Sequence, residues 1–346
     1  MKNHLKKIIV FLALLLVIIS CKESKNETND LIGDQLCELK NPQKVFLSAI
    51  GDIKNYKDSL LFVIDKRNYR IYKYEIATDS ISVLGNIGEG PGEYKNPFYL
   101  FIKKDTVFFT DMNAAVIKKI DFNGKYLGKV AYSASIKGKN ICADENTVYV
   151  AGSGTLQDYY VSAINGNKYF IVPNVYKNIT KNTFAGSRLF MLNNYLYFMN
   201  SYEMKIFVAD LKSKKEESLN LNGMHRKFDW SNYEGENISP ERMEEISKAE
   251  IDHFPIGFNV FYNGGRRYYA VLCAVNESDK KEYEMTLGIY NEKGSLLVNV
   301  KINTTIPFLF ENDTVWTYDI TKEGISKISR HYLSPNILNV LKTDKG

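Results

Sequence analysis

Apolar, β-branched and aromatic residues gather into six short runs, at 60–64, 107–110, 148–151, 195–199, 268–272 and 315–318. Most are followed a few residues later by a second and a third run. Short alternating runs separated by turns are the pattern of half-buried antiparallel strands. Anchored on Leu61, Val107, Val148, Leu196, Tyr269 and Val315, the steps are 46, 41, 48, 73 and 46 residues. Asn123-Gly124, Asn165-Gly166 and Lys293-Gly294 lie between runs and supply positive-φ residues for tight hairpins. A further strand is expected before each first run, at 46–53, 97–102, 135–142, 185–192, 257–262 and 305–310.

Quartets of short strands repeating every 40–50 residues or so predict an all-β chain folded as a β-propeller. The expectation is six blades of four antiparallel strands. The last quartet lacks an outer strand, and 35–39 or 43–47 is expected to supply it and close the ring. The 73-residue step holds an insertion, placed at 225–256 between blades four and five. There Ser239-Pro240-Glu241 reads as an N-cap, a proline at the first helical position and an acidic first turn. Met243, Ile246 and Ala249 fall on one helical face, so a short helical insertion is expected.

The N-terminus reads as a targeting segment. Lys2, Lys6 and Lys7 precede an unbroken apolar run of twelve residues, 8–19, and Ser20-Cys21 follows. Twelve residues are too few to cross a bilayer, which takes about 20. Ile18-Ile19-Ser20-Cys21 resembles a lipobox, so residues 1–20 are expected to be a lipoprotein signal and Cys21 the lipid-bearing residue. Positions 21–34 are polar and free of aromatics, a flexible tether, and the propeller is assigned to 35–346. These features predict a protein anchored through its N-terminal lipid to the outer membrane, on its periplasmic or cell-surface face.

Charge and scarce residue types narrow the chemistry. Removing the three signal lysines from 45 basic residues leaves 42 against 40 acidic ones. A near-neutral domain has no global pull toward nucleic acid. Cys37, Cys142 and Cys273 match no zinc spacing and read as free thiols. Only His225, His253 and His331 lie beyond the signal, too scattered for a histidine metal site or triad. No cofactor is implied. Most of the 24 tyrosines and 19 phenylalanines fall in strand runs and read as packing between blades.

The stretch Gly85-Asn86-Ile87-Gly88-Glu89-Gly90-Pro91-Gly92-Glu93-Tyr94, followed by Pro97, resembles the most recognisable segment of six-bladed β-propeller lipoproteins of Bacteroidetes, which are related to NHL and TolB-like propellers. Asp111, Ile117, Asp121-Phe122 and Gly124 are similar to an NHL-type blade core. The resemblance spans about 40–335 and implies fold rather than activity. Asp58-Ser59, Asp79-Ser80, Asp105-Thr106 and Asp313-Thr314, each before an apolar residue, resemble the short O-glycosylation motif of exported proteins in that group. The glycine-rich stretch lacks the Gly-Lys-Ser/Thr ending of a phosphate loop and reads as a crossover between blades.

Candidate binding residues come from the irregular step and the hairpin after it. Trp230 and Tyr233 offer flat faces to a sugar or peptide, and Arg266 and Arg267 point to opposite faces of a strand, so one can meet an anion. The leading expectation is a non-enzymatic binding or interaction module for a glycan, a peptide or an envelope protein. The alternative is a hydrolase or lyase using Asp65 and Asp111 as channel-facing carboxylates, with Ca²⁺ held by oxygen ligands. A structural subunit of an envelope complex is the third.

Overall fold

The computed structural model describes residues 31–39, 50–111, 116–131, 137–143, 147–153, 159–163, 168–172, 188–200, 204–223, 253–275, 284–303, 305–321 and 324–344. Five four-stranded antiparallel sheets are each built from consecutive strands. The first is β2 (Ile50–Tyr56), β3 (Leu60–Asp65), β4 (Arg70–Glu75) and β5 (Ser80–Leu84). The second is β8 (Pro97–Lys103), β9 (Thr106–Asp111), β10 (Val116–Asp121) and β11 (Tyr126–Ala131). The third is β12 (Lys137–Ala143), β13 (Val148–Ser153), β14 (Tyr159–Ala163) and β15 (Lys168–Val172). The fourth is β16 (Arg188–Leu192), β17 (Tyr195–Asn200), β18 (Lys205–Asp210) and β19 (Glu216–Asn220). The fifth is β20 (His253–Asn263), β21 (Arg266–Val275), β22 (Glu284–Tyr290) and β23 (Leu296–Ile302).

A sixth four-stranded sheet is composite. β24 (Thr305–Glu311), β25 (Thr314–Thr321) and β26 (Gly324–Leu333) are completed by β1 (Ile32–Leu39), which pairs antiparallel with β26. The expected outer strand from 35–39 is therefore in place. Leu39 joins Trp316 and Ile328 in a cluster with Ile53, Leu61 and Tyr74 of the first blade. That seam makes the array a closed β-propeller.

The other seams are built the same way. Phe62, Ile64 and Leu84 of blade one meet Leu100, Val107 and Phe109 of blade two. Tyr197, Met199 and Ile206 of blade four meet Tyr269, Val271 and Tyr290 of blade five. Each blade thus presents two apolar faces, which explains why so many aromatics sit inside strand runs. Between blades one and two, β6 (Asn86–Ile87) pairs parallel with β7 (Glu93–Tyr94). Tyr94 is fully buried; its hydroxyl donates to the Leu84 carbonyl at 2.7 Å and accepts the Ile71 N–H at 3.2 Å. The Glu93 carboxylate folds back to accept the Gly90 N–H at 2.7 Å. The glycine-rich stretch is a structural crossover, with Gly85 at φ 69° and Gly92 at φ 84°.

The fold expectation needs correction in its helix. Positions 225–252 of the expected insertion lie outside the described residues. Positions 253–256 are not helical; they open β20, which starts four residues before the expected inner strand. Pro255 is tolerated there because an innermost strand has one free edge. Among the described residues the one helix is α1 (Pro335–Thr343), at the C-terminus. Ser334 caps it, its hydroxyl accepting the Ile337 N–H at 3.4 Å, and Pro335 begins it. Its buried Ile337 and Leu341 pack into the core shared by blade five and the composite sheet. The Tyr268 hydroxyl donates to the Leu341 carbonyl at 2.9 Å.

His331 lies in β26 opposite Gln35 of β1. It is 7% exposed, and its Nδ1 has no hydrogen-bond partner among the described residues. Burial, seconded by Lys327, holds the imidazole below its ordinary 6.5. The unfolded chain then takes up a proton at a higher pH than the folded one, so the closure loses stability as pH falls through about 6.5. Urea unfolding midpoints of wild type should fall between about pH 7.5 and about pH 5.5, and His331→Gln should lose part of that fall. Equal falls in the two proteins would rule the histidine out as the cause.

Candidate functional site

An innermost strand has a sheet partner on one side only, so its other edge turns toward the ring axis. The edges of β2, β8, β12, β16, β20 and β24 enclose a central channel with a cavity of about 390 Å³. Its wall combines apolar side chains, among them Ile50, Phe101, Met191, Ile256, Phe258 and Phe308, with polar surface in about equal measure. The Tyr318 phenol is pushed up to about 12 by desolvation.

Five of the six channel strands carry a register shift near their N-terminal ends. The shifts fall between Ile50 and Asp52, Pro97 and Leu100, Gly138 and Asn140, Pro255 and Gly257, and Pro307 and Leu309. A bulge adds a residue to one strand, bends it and re-aims side chains. The added positions include Gly51, Ile256 and Phe308, all on the cavity wall. Gly51 is forced by space: a Cβ there would come within 2.8 Å of Lys66 Cγ. Lys66 in turn lies over the Phe98 ring at 4.1 Å. β16 has no shift and no Gly or Pro within it. Each bulged strand does carry one or both, at Gly51, Pro97, Gly138, Pro255 with Gly257, and Pro307. Gly or Pro inside a strand is the sequence mark of a bulge, and it was available to find this collar.

The polar groups of the wall are mostly committed. Asp52 Oδ2 accepts the Leu100 N–H of the next blade at 2.8 Å, and Oδ1 accepts the Ile53 N–H and Lys54 Nζ, each at 3.0 Å. Asp52 thereby clips β2 to β8. Across the closing seam, Asn55 Nδ2 donates to Glu311 at 3.0 and 3.1 Å and to Asp58 at 2.9 Å. Arg330 pairs with Asp58 at 3.1 Å and Glu311 at 3.5 Å and stacks over Trp316.

The structure separates the residues singled out from sequence. Cys21, Trp230 and Tyr233 lie outside the described residues. Asp65 is fully buried at the end of β3 and accepts the Arg67 and Asn68 N–H groups and Asn68 Nδ2 at 2.8–3.2 Å. Asp111, at the matching end of β9, pairs with buried Lys118 at 2.8 Å and accepts the Lys95 and Asn96 N–H groups. Neither borders the channel cavity. Among the described residues no three His, Cys, Asp or Glu side chains converge as a metal site. Gly264 and Gly265, at φ 56° and 80°, make the tight hairpin before Arg266. That hairpin ends the eleven-residue β20, about 35 Å from the strand's start at His253.

Arg266 is exposed. Arg267 is half-buried in the seam of blades four and five, its guanidinium 5.6–5.9 Å from the ring centres of Tyr195, Tyr197 and Tyr269. Nη1 donates to the Tyr197 hydroxyl at 3.3 Å. Burial pushes the Tyr197 phenol up to about 12, so it stays neutral and the guanidinium is held by cation–π contact. Cys37, Cys142 and Cys273 form no disulfide among the described residues. Of the four Asp-Ser/Thr motifs, Ser59 is exposed, while Thr314 is 5% exposed and donates to the Glu311 carbonyl at 2.9 Å.

A β-propeller with a lined central channel is the class these features define. Its fold is shared with a member of the DUF4221 family from Bacteroides vulgatus, at 12% identity over 89% of this chain and 99% of that one, TM-score 0.60. It is also shared with a candidate exported protein from Bacteroides fragilis, at 11% identity over 88% of this chain and 96% of that one, TM-score 0.63. At these identities the likeness is one of fold. No family model and no curated protein matches the chain.

Asp52→Ala should leave the Leu100 N–H without its acceptor at the blade one–two seam and cost about 1–3 kcal/mol. Urea unfolding checks this; an unchanged midpoint would show that the clip contributes nothing.

Proposed function

We propose that this chain is a non-enzymatic binding module of the cell envelope, held to the membrane by lipid on Cys21, that admits its ligand to the central channel. The observation that carries the reading is the channel itself, a preformed concavity whose wall combines apolar side chains with polar surface, a make-up that can hold and orient a ligand. Its carboxylates, Asp52 and Glu311, are spent on holding blades together, and Asp65 and Asp111 are spent on their own turns and crossover. The hydrolase or lyase reading would need a carboxylate pair on the wall, where Asp52 and Glu311 are both engaged in holding blades together. The apolar part of the wall suits an apolar group such as a peptide side chain, and the polar part can meet the hydrogen-bonding groups of the same ligand.

The envelope address rests on the lipobox-like sequence at Cys21 and the polar tether after it. Among the described residues no helix is long and apolar enough to cross a membrane.

Two measurements test the two halves of this reading. The apolar dye 1-N-phenylnaphthylamine should bind saturably, with fluorescence enhancement. Ile256→Lys, at an exposed edge of the cavity, should weaken it by roughly threefold or more. Non-saturable enhancement, or indifference to the lysine, would remove the channel as the site. Cys21→Ser should move the full chain from the membrane pellet to the soluble fraction with an unchanged melting temperature. Retention in the pellet would sink the anchor.

A further inference from the structure

Arg267 is the second residue of β21, just past the Gly264-Gly265 turn, and pairs in register with Tyr262 of β20. Its half-buried guanidinium is ringed by Tyr195, Tyr197 and Tyr269 and donates one hydrogen bond, from Nη1 to the Tyr197 hydroxyl. Other cations packed into the propeller are matched by acids. Arg330, which also lies over a ring, pairs with Asp58 and Glu311, and buried Lys118 pairs with Asp111. Arg267 forms no ion pair among the described residues. Burial raises the phenols of Tyr197 and Tyr269, so neither supplies a negative charge at neutral pH. A half-buried charge without an opposite charge is costly, and ring faces offset that cost only in part. Methionine would fill the seam without the cost. Of the guanidinium nitrogens, Nε is sealed and unpartnered, whereas Nη2 is not sealed.

We propose that the ring of tyrosines around Arg267 is a second binding site, apart from the channel, and that it takes the carboxylate of a ligand. None of Arg267, Tyr195, Tyr197 and Tyr269 borders the channel cavity. The site lies at the turn end of β20, whereas the register shift of that strand is at its other end. Nη2 and the second hydrogen of Nη1 are the donors, and a guanidinium fork matches the two oxygens of a carboxylate. Arg266 is exposed and points to the opposite face of the strand, so Arg267 alone supplies the positive charge. One guanidinium balances a carboxylate, while a phosphate dianion would leave charge uncompensated in a half-buried seam. Tyr195 is only partly buried against the seam, and its ring gives the apolar part of the ligand a surface to rest on.

The test uses two probes of nearly the same shape and different charge, benzoate and benzamide, titrated into the full chain at constant ionic strength. Binding is read from the broadening of the probe's NMR signals. Wild type should bind benzoate about tenfold more tightly, the worth of a charge-assisted hydrogen-bonded pair. Arg267→Gln should bring the ratio to about one. Arg267→Lys, which keeps the charge and loses the fork, should show a reduced preference and is the readout if the glutamine variant does not fold. Equal binding of the two probes to wild type, or no saturable binding of benzoate, would overturn the site and mean that the rings alone hold the charge. A preference undiminished in either variant would overturn the assignment to Arg267. Inorganic phosphate that displaces benzoate at equal concentration would overturn the choice of a carboxylate. Each of these outcomes leaves the channel reading standing, because that reading is tested by the dye and Ile256→Lys.

Discussion

The pairing of β1 with β26 is the constraint on which the rest of the molecule depends. Without it the last sheet has three strands, β26 offers an open edge, and the seam between the last blade and the first loses Leu39. Open edges invite pairing with other chains. With it, the two ends of the described fold are hydrogen-bonded to each other over Ile32–Leu39. The blades are then packed in a cycle, each face against a neighbour, and the inner edges are forced to converge on one axis. The channel is a product of closure rather than of any single blade.

Convergence creates a problem that the inner strands solve locally. Their axial edges have no strand to pair with, and an unpaired N–H away from water is costly. Asp52 answers this at one point by reaching across the seam to the Leu100 N–H. The recurrent register shifts bend the inner strands elsewhere and re-aim the side chains there. They also bring Ile256 and Phe308 onto the cavity wall. Thus the local geometry of the wall and the placing of these two side chains go with the Gly or Pro early in each bulged strand.

Much of this was legible in the chain. The period of the apolar runs fixed the strand quartets because each blade must bury two faces, and that demand writes Leu61, Val107, Leu196 and Tyr269 into sequence at blade spacing. The Asp121 turn was legible too: its carboxylate accepts the Asn123 and Lys125 N–H groups at 2.9 and 2.8 Å, with Gly124 at φ 84°. The C-terminal helix was missed although Ser334-Pro335 carries the same start signal as Ser239-Pro240. Local signals of this kind say where a helix can begin; whether one forms depends on a face to bury, which for Ile337 and Leu341 is supplied by blade five. The surroundings of Arg267 were beyond reach for a related reason. Its partners Tyr195 and Tyr197 lie some 70 residues earlier, and only the ring brings blades four and five face to face.

The same logic separates scaffold from site. Asp65 and Asp111 attract notice in sequence because a carboxylate at a strand end is chemically versatile, yet strand ends are where turn N–H groups need acceptors. Once those needs are met, little charge is left over in the middle of the ring. Lys118 neutralises Asp111, Lys54 neutralises Asp52, and Arg330 serves Asp58 and Glu311 together. What remains on the inner wall is apolar side chains and polar surface in about equal measure. A wall so composed can discriminate by shape and by where its polar groups fall.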